Sequence, residues 1–208
     1  MAVIYSQKTD RELVIACQAR DSGAFEELVR RHQKTVYHLL YQLAPDWTDT
    51  GDLAQEVFIR VWRSINNLRN PAAFKTWLTQ IVTNLFYDEL RKRPKRIATI
   101  SMDDNEDSDG LAKASKEIPD SHVNPDELAL NREISVVIRE AMAKLPEQFR
   151  VAIVLRELEG LTYEEIAVIT KTEMGTVKSR IARARMKLQD LLTPYINSSI
   201  QVKEIKTT

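Results

Sequence analysis

Phe74, Trp77, Leu78, Ile81, Leu85 and Leu90 recur at spacings of three and four, a rhythm that only an α-helix gathers onto one side. A second register of the same kind runs through Leu128, Ile134, Ile138, Met142 and Leu145, and a third through Val177, Ile181, Ala184, Leu188 and Leu191. Each predicts a helix with one buried side. The period-two alternation of strands is rare, only 5 glycines punctuate 208 residues, and the fold class expected is all-α.

Between Ile97 and Asn124 the rhythm stops. Asp103, Asp104, Glu106, Asp107, Asp109, Glu117 and Asp120 face only Lys113 and Lys116, the composition of a flexible acidic linker. The linker follows the basic run Arg91, Lys92, Arg93, Lys95 and Arg96. Lys+Arg and Asp+Glu number 30 each, so charge cancels over the chain while segregating along it, and the acidic stretch is expected to fold back on the basic surfaces. Two small helical domains are therefore expected, at 1–96 and 125–193, joined by a linker at 97–124. A tail at 194–208 shows no strong pattern and is expected to be disordered.

Local signals set the helix ends. Asp21-Ser22-Gly23 and the stretch from Pro45 to Gly51 break helices, and Asn70-Pro71 and Asn124-Pro125 each pair an N-cap with a proline at the first helical position. Pro94 should close the helix that begins near Phe74. A helix is expected from Pro146 to Glu157, stopping near Gly160. Thr162 with Glu165 three residues on is a capping box opening a short helix from Tyr163 to Ile169. A turn at Thr170 to Thr172 leads to a long helix expected to end before Pro194.

Short helix, tight turn and long helix have the layout of a helix-turn-helix, whose second helix enters the DNA major groove. Opposite the apolar side of that helix lie Gly175, Ser179, Ala182 and, slightly turned, Arg183. Small residues there permit close approach to base edges. Lys178 and Arg185 on one flank, with Arg180 and Lys187 on the other, suit the phosphates that line the groove. Arg183 suits a bidentate contact to guanine.

The helix carrying Leu53, Val57 and Val61 at spacings of four should bury them and turn Asp52, Gln55, Glu56, Ile59 and Arg63 outward. Ile59 is then apolar within a polar side, which suits a protein contact and is also found on ordinary surfaces. Asn66, Asn67, Arg69 and Asn70 precede a helix whose polar side holds Asn84, Asp88 and Arg91. Trp62, Trp77, Phe86 and Tyr87 could stack on bases, though core is the commoner role for such residues.

The run Leu161-Thr162-Tyr163-Glu164-Glu165-Ile166-Ala167, with Gly175-Thr176-Val177-Lys178-Ser179-Arg180 and Arg183-Ala184-Arg185, resembles the C-terminal domain of extracytoplasmic-function (ECF, group IV) sigma factors of the sigma-70 family of bacterial RNA polymerase. Independently, Asp52-Leu53, Gln55-Glu56-Val57-Phe58 and Val61-Trp62 resemble that family's polymerase-binding helix. Phe74, Trp77-Leu78, Asn84, Asp88 and Leu90-Arg91 resemble its helix for the minus-ten element. Gly51 stands where the family usually has an acidic residue, and Ala182 where many members have a larger one.

The resemblance implies an alternative sigma factor that binds core RNA polymerase at the largest-subunit coiled coil and the flap region, directs it to promoters and assists promoter opening. It implies a linker running through polymerase toward the RNA exit channel. Polymerase contacts would fall to Asp52, Leu53, Gln55, Glu56, Phe58, Ile59 and Arg63. Minus-ten contacts would fall to Asn66, Asn67, Arg69, Asn70, Lys75, Asn84, Asp88 and Arg91. Minus-thirty-five contacts would fall to Thr176, Lys178, Ser179, Arg180, Arg183, Arg185 and Lys187. An anti-sigma factor is a further candidate partner.

No enzyme, metal site or cofactor is expected. Cys17 stands alone in an apolar helical setting and reads as a small core residue, and His32, His38 and His122 are too scattered for zinc. No phosphate loop or nucleophile elbow occurs. No apolar run approaches the roughly 20 residues of a membrane span, nor is there the apolar core of a signal peptide, so a cytoplasmic protein is expected. The competing readings are a stand-alone helix-turn-helix activator or repressor, binding duplex DNA without polymerase, and a partner that sequesters other factors through amphipathic helices.

Overall fold

The structure, a computed structural model, describes residues 5–100 and 125–205, with side chains described for 5–93 and 134–196. Among these residues every regular element is helical. The N-terminal module comprises α1 (Asp10–Gln18), α2 (Ser22–Leu43), α3 (Thr50–Ser64) and α4 (Phe74–Ile100), with short 3-10 turns at Ile65–Asn67 and Pro71–Ala73. The C-terminal module comprises α5 (Pro125–Ala143), α6 (Glu147–Ile153) running into a π-turn at Val154–Leu158, α7 (Tyr163–Thr170) and α8 (Met174–Ile205).

Side-chain caps satisfy the amides that a helix start leaves without partners. Thr9 and Glu12 form a capping box on α1, with Thr9 N donating to Glu12 Oε2 at 2.7 Å. Asp21 accepts from Ala24 N at 3.1 Å on α2, and Asn70 accepts from Ala72 N at 3.1 Å. Asp49 caps nothing with its side chain, because both its oxygens bind Arg93 at 2.6 and 2.9 Å.

The N-terminal core joins Leu13, Val14 and Cys17 of α1 to Leu28, Leu39, Leu40 and Leu43 of α2, Val57 and Val61 of α3, and Phe74, Val82, Leu85 and Phe86 of α4. The apolar side of α4 is turned slightly from its expected position. Val82 and Phe86 are wholly buried, while Trp77, Ile81 and Leu90 pack at the margin. Burial pushes the Cys17 thiol up to about 12, so it remains protonated at neutral pH.

In the C-terminal module the seven consecutive residues Phe149 to Leu155 are all buried, as befits a helix enclosed all round. One of them is Arg150, whose Nη1 donates to the carbonyls of Met142 and Ala143 at 3.2 Å each and so caps the end of α5. Gly160, at φ 67, makes the left-handed turn that ends the π-turn.

Three expectations about extent are corrected. The helix through α4 does not close at Pro94 but reaches Ile100, into the stretch assigned to the linker from Ile97. Likewise α8 passes through Pro194 and carries the expected disordered tail as helix to Ile205. Proline removes a single amide donor, a loss that each helix bears without ending there. On α5, Ala141 and Met142 are buried, whereas Ile134 and Ile138 of the same expected apolar side are exposed. The acidic stretch at 101–124, with its expected fold-back, lies outside the described residues.

The modules also touch, with their buried residues forming one continuous cluster. Thr76 Oγ1 of α4 donates to Glu165 Oε1 at 3.4 Å, and Thr79 Oγ1 donates to Glu159 Oε2 at 3.3 Å. Arg139 bonds Tyr41 Oη at 2.5 Å. A cavity of about 230 Å³ lies at this junction, with Arg31, His32, Lys75 and Glu159 among its lining.

Burial raises the Glu159 carboxyl above its ordinary value, outweighing the hydroxyl of Thr79 and the charge of His38, which lower it. The docked state therefore holds the proton more tightly than the separated state. The contribution of Glu159 to docking is therefore full below the ordinary value of 4.5 and is lost as pH rises through the raised value. Glu159→Gln should tighten docking at neutral pH and flatten its pH dependence. Energy transfer between dyes on the two modules, followed from pH 4 to 8, checks this expectation, since a variant tracking wild type would contradict it.

Candidate nucleic-acid and partner surfaces

The helix-turn-helix begins at Thr162, whose N donates to Glu165 Oε2 at 2.9 Å while Glu165 N donates to Thr162 Oγ1 at 3.2 Å. Ile166 and Ile169 anchor α7, and Lys171 at φ 53 turns the chain into α8. Val177, Ile181 and Ala184 are buried beneath it. The opposite side is exposed along Gly175, Ser179, Ala182 and Arg183, and a side chain grown at Gly175 would meet nothing within 4 Å.

The cations around this ridge are not equivalent. Arg183 is exposed and makes no ion pair among the described residues. Arg185 grips Glu157 through Nη2 at 2.5 Å and Nε at 3.1 Å, which raises its pKa further. Lys178 reaches over the Tyr163 ring at 5.7 Å and Lys187 over Phe149 at 6.0 Å. Arg180 is half-buried, and with Thr176 it lines the groove between α7 and α8. Ser179 Oγ donates back to Thr176 O at 2.9 Å.

On α3 the residues Asp52, Gln55, Ile59 and Arg63 face outward, and Ile59 is 45% exposed. Glu56 is half-exposed and pairs with Arg60 at 3.0 Å. Leu53, named as a contact by resemblance, is 7% exposed and belongs to the core with Val57, since both lie on the helix's inner side. Phe58 also packs partly against the core. Gly51 lies on the exposed side, where a side chain would stand in open space.

Asn66, Asn67, Arg69, Asn70 and Lys75 are exposed in and beside the loop before α4. Gln18, a residue the sequence did not single out, fixes this loop by donating Nε2 to the carbonyls of Ile65 and Leu68 at 3.1 and 2.9 Å. A polar residue following Cys17 in an apolar helix was the only signal available. On α4, Asn84 is half-buried, Arg91 is exposed and Asp88 is bonded by both Arg60 and Arg91 at 2.8 Å. Arg93 turns inward onto the Trp47 ring at 3.6 Å, which takes it out of the exposed basic run. The aromatics mostly build the core: Trp47 stacks on Phe86 at 5.3 Å and Trp62 tilts against Phe25 at 4.8 Å.

The surfaces therefore comprise a small-centred basic ridge on a helix-turn-helix, a polar helix side with one exposed isoleucine, and an amide-rich loop leading into a helix with an exposed arginine. Among the described residues no His, Cys, Asp or Glu grouping could hold a metal ion, and no helix is long and apolar enough to cross a membrane.

Comparison with known proteins matches residues 28–96 to Sigma-70 region 2 and residues 135–188 to Sigma-70, region 4. The chain is 39% identical to the ECF RNA polymerase sigma-E factor of Escherichia coli K12, covering 91% of this chain and 97% of that one. It is 35% identical to the RNA polymerase sigma-H factor of Pseudomonas aeruginosa, covering 93% and 99%. With the ECF RNA polymerase sigma factor SigE of Mycolicibacterium smegmatis it shares 38% identity over 86% of its length, spanning 65% of that relative. Among solved structures, the sigma factor RpoE bound to the anti-sigma factor NepR of Bartonella quintana aligns with TM-score 0.61 and 25% identity, covering 81% of this chain and 96% of that one. CnrH in complex with the cytosolic domain of CnrY aligns with TM-score 0.58 at 24% identity, covering 90% and 99%, a likeness of fold.

Proposed function

The chain belongs to the extracytoplasmic-function sigma factors of the sigma-70 family, and we propose a division of its surfaces among core polymerase, the minus-ten element and the minus-thirty-five element. It is an alternative sigma factor: it initiates transcription with RNA polymerase, binds promoter DNA and carries out no chemistry of its own. The N-terminal domain, 1–96, takes polymerase on the outer side of α3 and the minus-ten element on the loop before α4 and the polar side of α4. The C-terminal domain, 125–193, reads the minus-thirty-five element with α8.

The observation that carries this division is the ridge of α8. Its centre is small enough for base edges to approach, and its exposed cations stand where phosphates flank a major groove. Arg183 takes the role of base reader because no carboxylate among the described residues pairs with it, whereas Arg185, held by Glu157, meets backbone. On α3, Ile59 supplies an apolar centre within the rim of Asp52, Gln55, Glu56 and Arg63. The protein works in the cytoplasm, beside the polymerase it serves. An anti-sigma factor is a further partner, supported by the likeness to RpoE solved with NepR.

Replacing Gln55 and Glu56 together with Ala should weaken binding to core polymerase by about tenfold or more. Folding should change by less than about 0.5 kcal/mol, since neither side chain is buried. Unchanged affinity in a titration against labelled core would remove this surface from the interface. A stand-alone activator would instead bind its duplex site in a gel shift without polymerase.

Arg183→Ala should relax base preference at one position of the minus-thirty-five element by roughly 1–3 kcal/mol, whereas Lys178→Ala should weaken all sequences alike and lower the salt slope by about one unit. Uniform losses for both, in a competition assay across base substitutions, would refute the separation of reading from positioning.

A further inference from the structure

A chain of ion pairs crosses from the outer side of α3 to the exposed end of α4. Arg60 Nε donates to Glu56 Oε1 at 3.0 Å and Arg60 Nη1 to Asp88 Oδ2 at 2.8 Å. Arg91 Nη2 donates to the other oxygen of Asp88 at 2.8 Å, and Arg91 Nε to the Tyr87 carbonyl at 3.1 Å. The side chains at the centre are the more enclosed, with Arg60 31% and Asp88 37% exposed, while Arg91 is 74% exposed. The hydrogen bond from Arg60 does most to hold the Asp88 carboxyl below its ordinary range.

An ionised carboxylate has no proton to donate and repels phosphate. With each oxygen already bonded to a guanidinium, Asp88 is well suited to set the charge of its neighbours. Its two partners differ in what else they can reach. Arg60 is divided between Asp88 and Glu56, and Arg91 extends into solvent on the polar side of α4. Two carboxylates and two guanidiniums sum to zero, so in the free protein Arg91 presents little surplus charge. When another cation engages Glu56, Arg60 is left wholly to Asp88 and Arg91 becomes the surplus cation. Each link is shorter than the Debye length of about 8 Å, so salt does not decouple neighbouring members.

We infer that Arg60 is a positioning residue for promoter DNA: touching none itself, it governs how much of the Arg91 charge is available to phosphate, according to whether polymerase engages Glu56. The inference rests on the assignment of α3 to polymerase and α4 to the minus-ten element made above.

Full-length protein is titrated against fluorescently labelled single-stranded minus-ten DNA by anisotropy, over a salt series, alone and with saturating core polymerase. Melting curves check that each variant folds. Arg91→Ala should weaken binding and lower the salt slope by about 0.7, the value for one phosphate on a single strand. No effect would overturn the assignment of α4 to DNA, and the inference with it. Arg60→Gln should weaken binding roughly two- to fivefold, the range of one partly exposed ion pair, and Arg60→Lys should retain most of the affinity. The decisive variant is Arg60→Gln with Asp88→Asn, in which neutrality returns and affinity should recover. Failure to recover, with Arg91→Ala still harmful, would make Arg60 a direct phosphate contact or a purely structural residue and end the inference. Glu56→Gln should raise the affinity of polymerase-free protein by a similar factor and give no gain once core is bound. Unchanged affinity of the free protein would sever polymerase from the chain.

Discussion

Burial of α4 on two sides is the constraint on which the rest of the structure depends. One side inserts Phe74, Leu78, Val82, Leu85 and Phe86 into the N-terminal core, and each such side chain contributes about 1.5–3 kcal/mol on leaving water. The adjoining side, through Thr76 and Thr79, receives the C-terminal module with hydrogen bonds at 3.3 to 3.4 Å. These hydrogen bonds are long, of the kind whose net contribution is small. A rigid attachment and a weak one thus share a helix, and the strength of the first fixes the geometry presented to the second.

Much of this was legible along the chain because its causes are local. The capping box at Thr162 and Glu165, the N-cap at Asn70 and the burial of Val57 and Val61 each follow from residues within a turn or two of one another. The outward ridge of α8 follows from the same periodicity. What escaped depends on distant partners. Periodicity tells which side of a helix is apolar but not whether anything covers it, so Ile134 and Ile138 stand exposed while Val82 is enclosed. Leu53 carried a family role in its motif and a core role in its register, and the register decided.

The cations show the same division more sharply. In sequence, Arg91 and Arg93 belong to one basic run. In space, Arg91 points to solvent, whereas Arg93 lies over Trp47 with Asp49 bonded beneath it, 44 residues away in the chain. No local pattern pairs them, because helical phase separates neighbours two residues apart onto different sides. The site residues tied to backbone or partner, such as Ser179 and Arg185, likewise reveal their commitments only through hydrogen bonds.

Glu165 divides its labour between its two oxygens. Oε2 accepts from Thr162 N and closes the first turn of α7, while Oε1 accepts from Thr76 of the other module. The cap does not depend on the docking contact, so the helix-turn-helix keeps its shape whether or not the modules are joined. The consequence is evolutionary: substitutions at position 76 can tune how readily the molecule opens while leaving its reading of DNA untouched, so the strength of restraint and the choice of promoter are free to diverge along separate lineages.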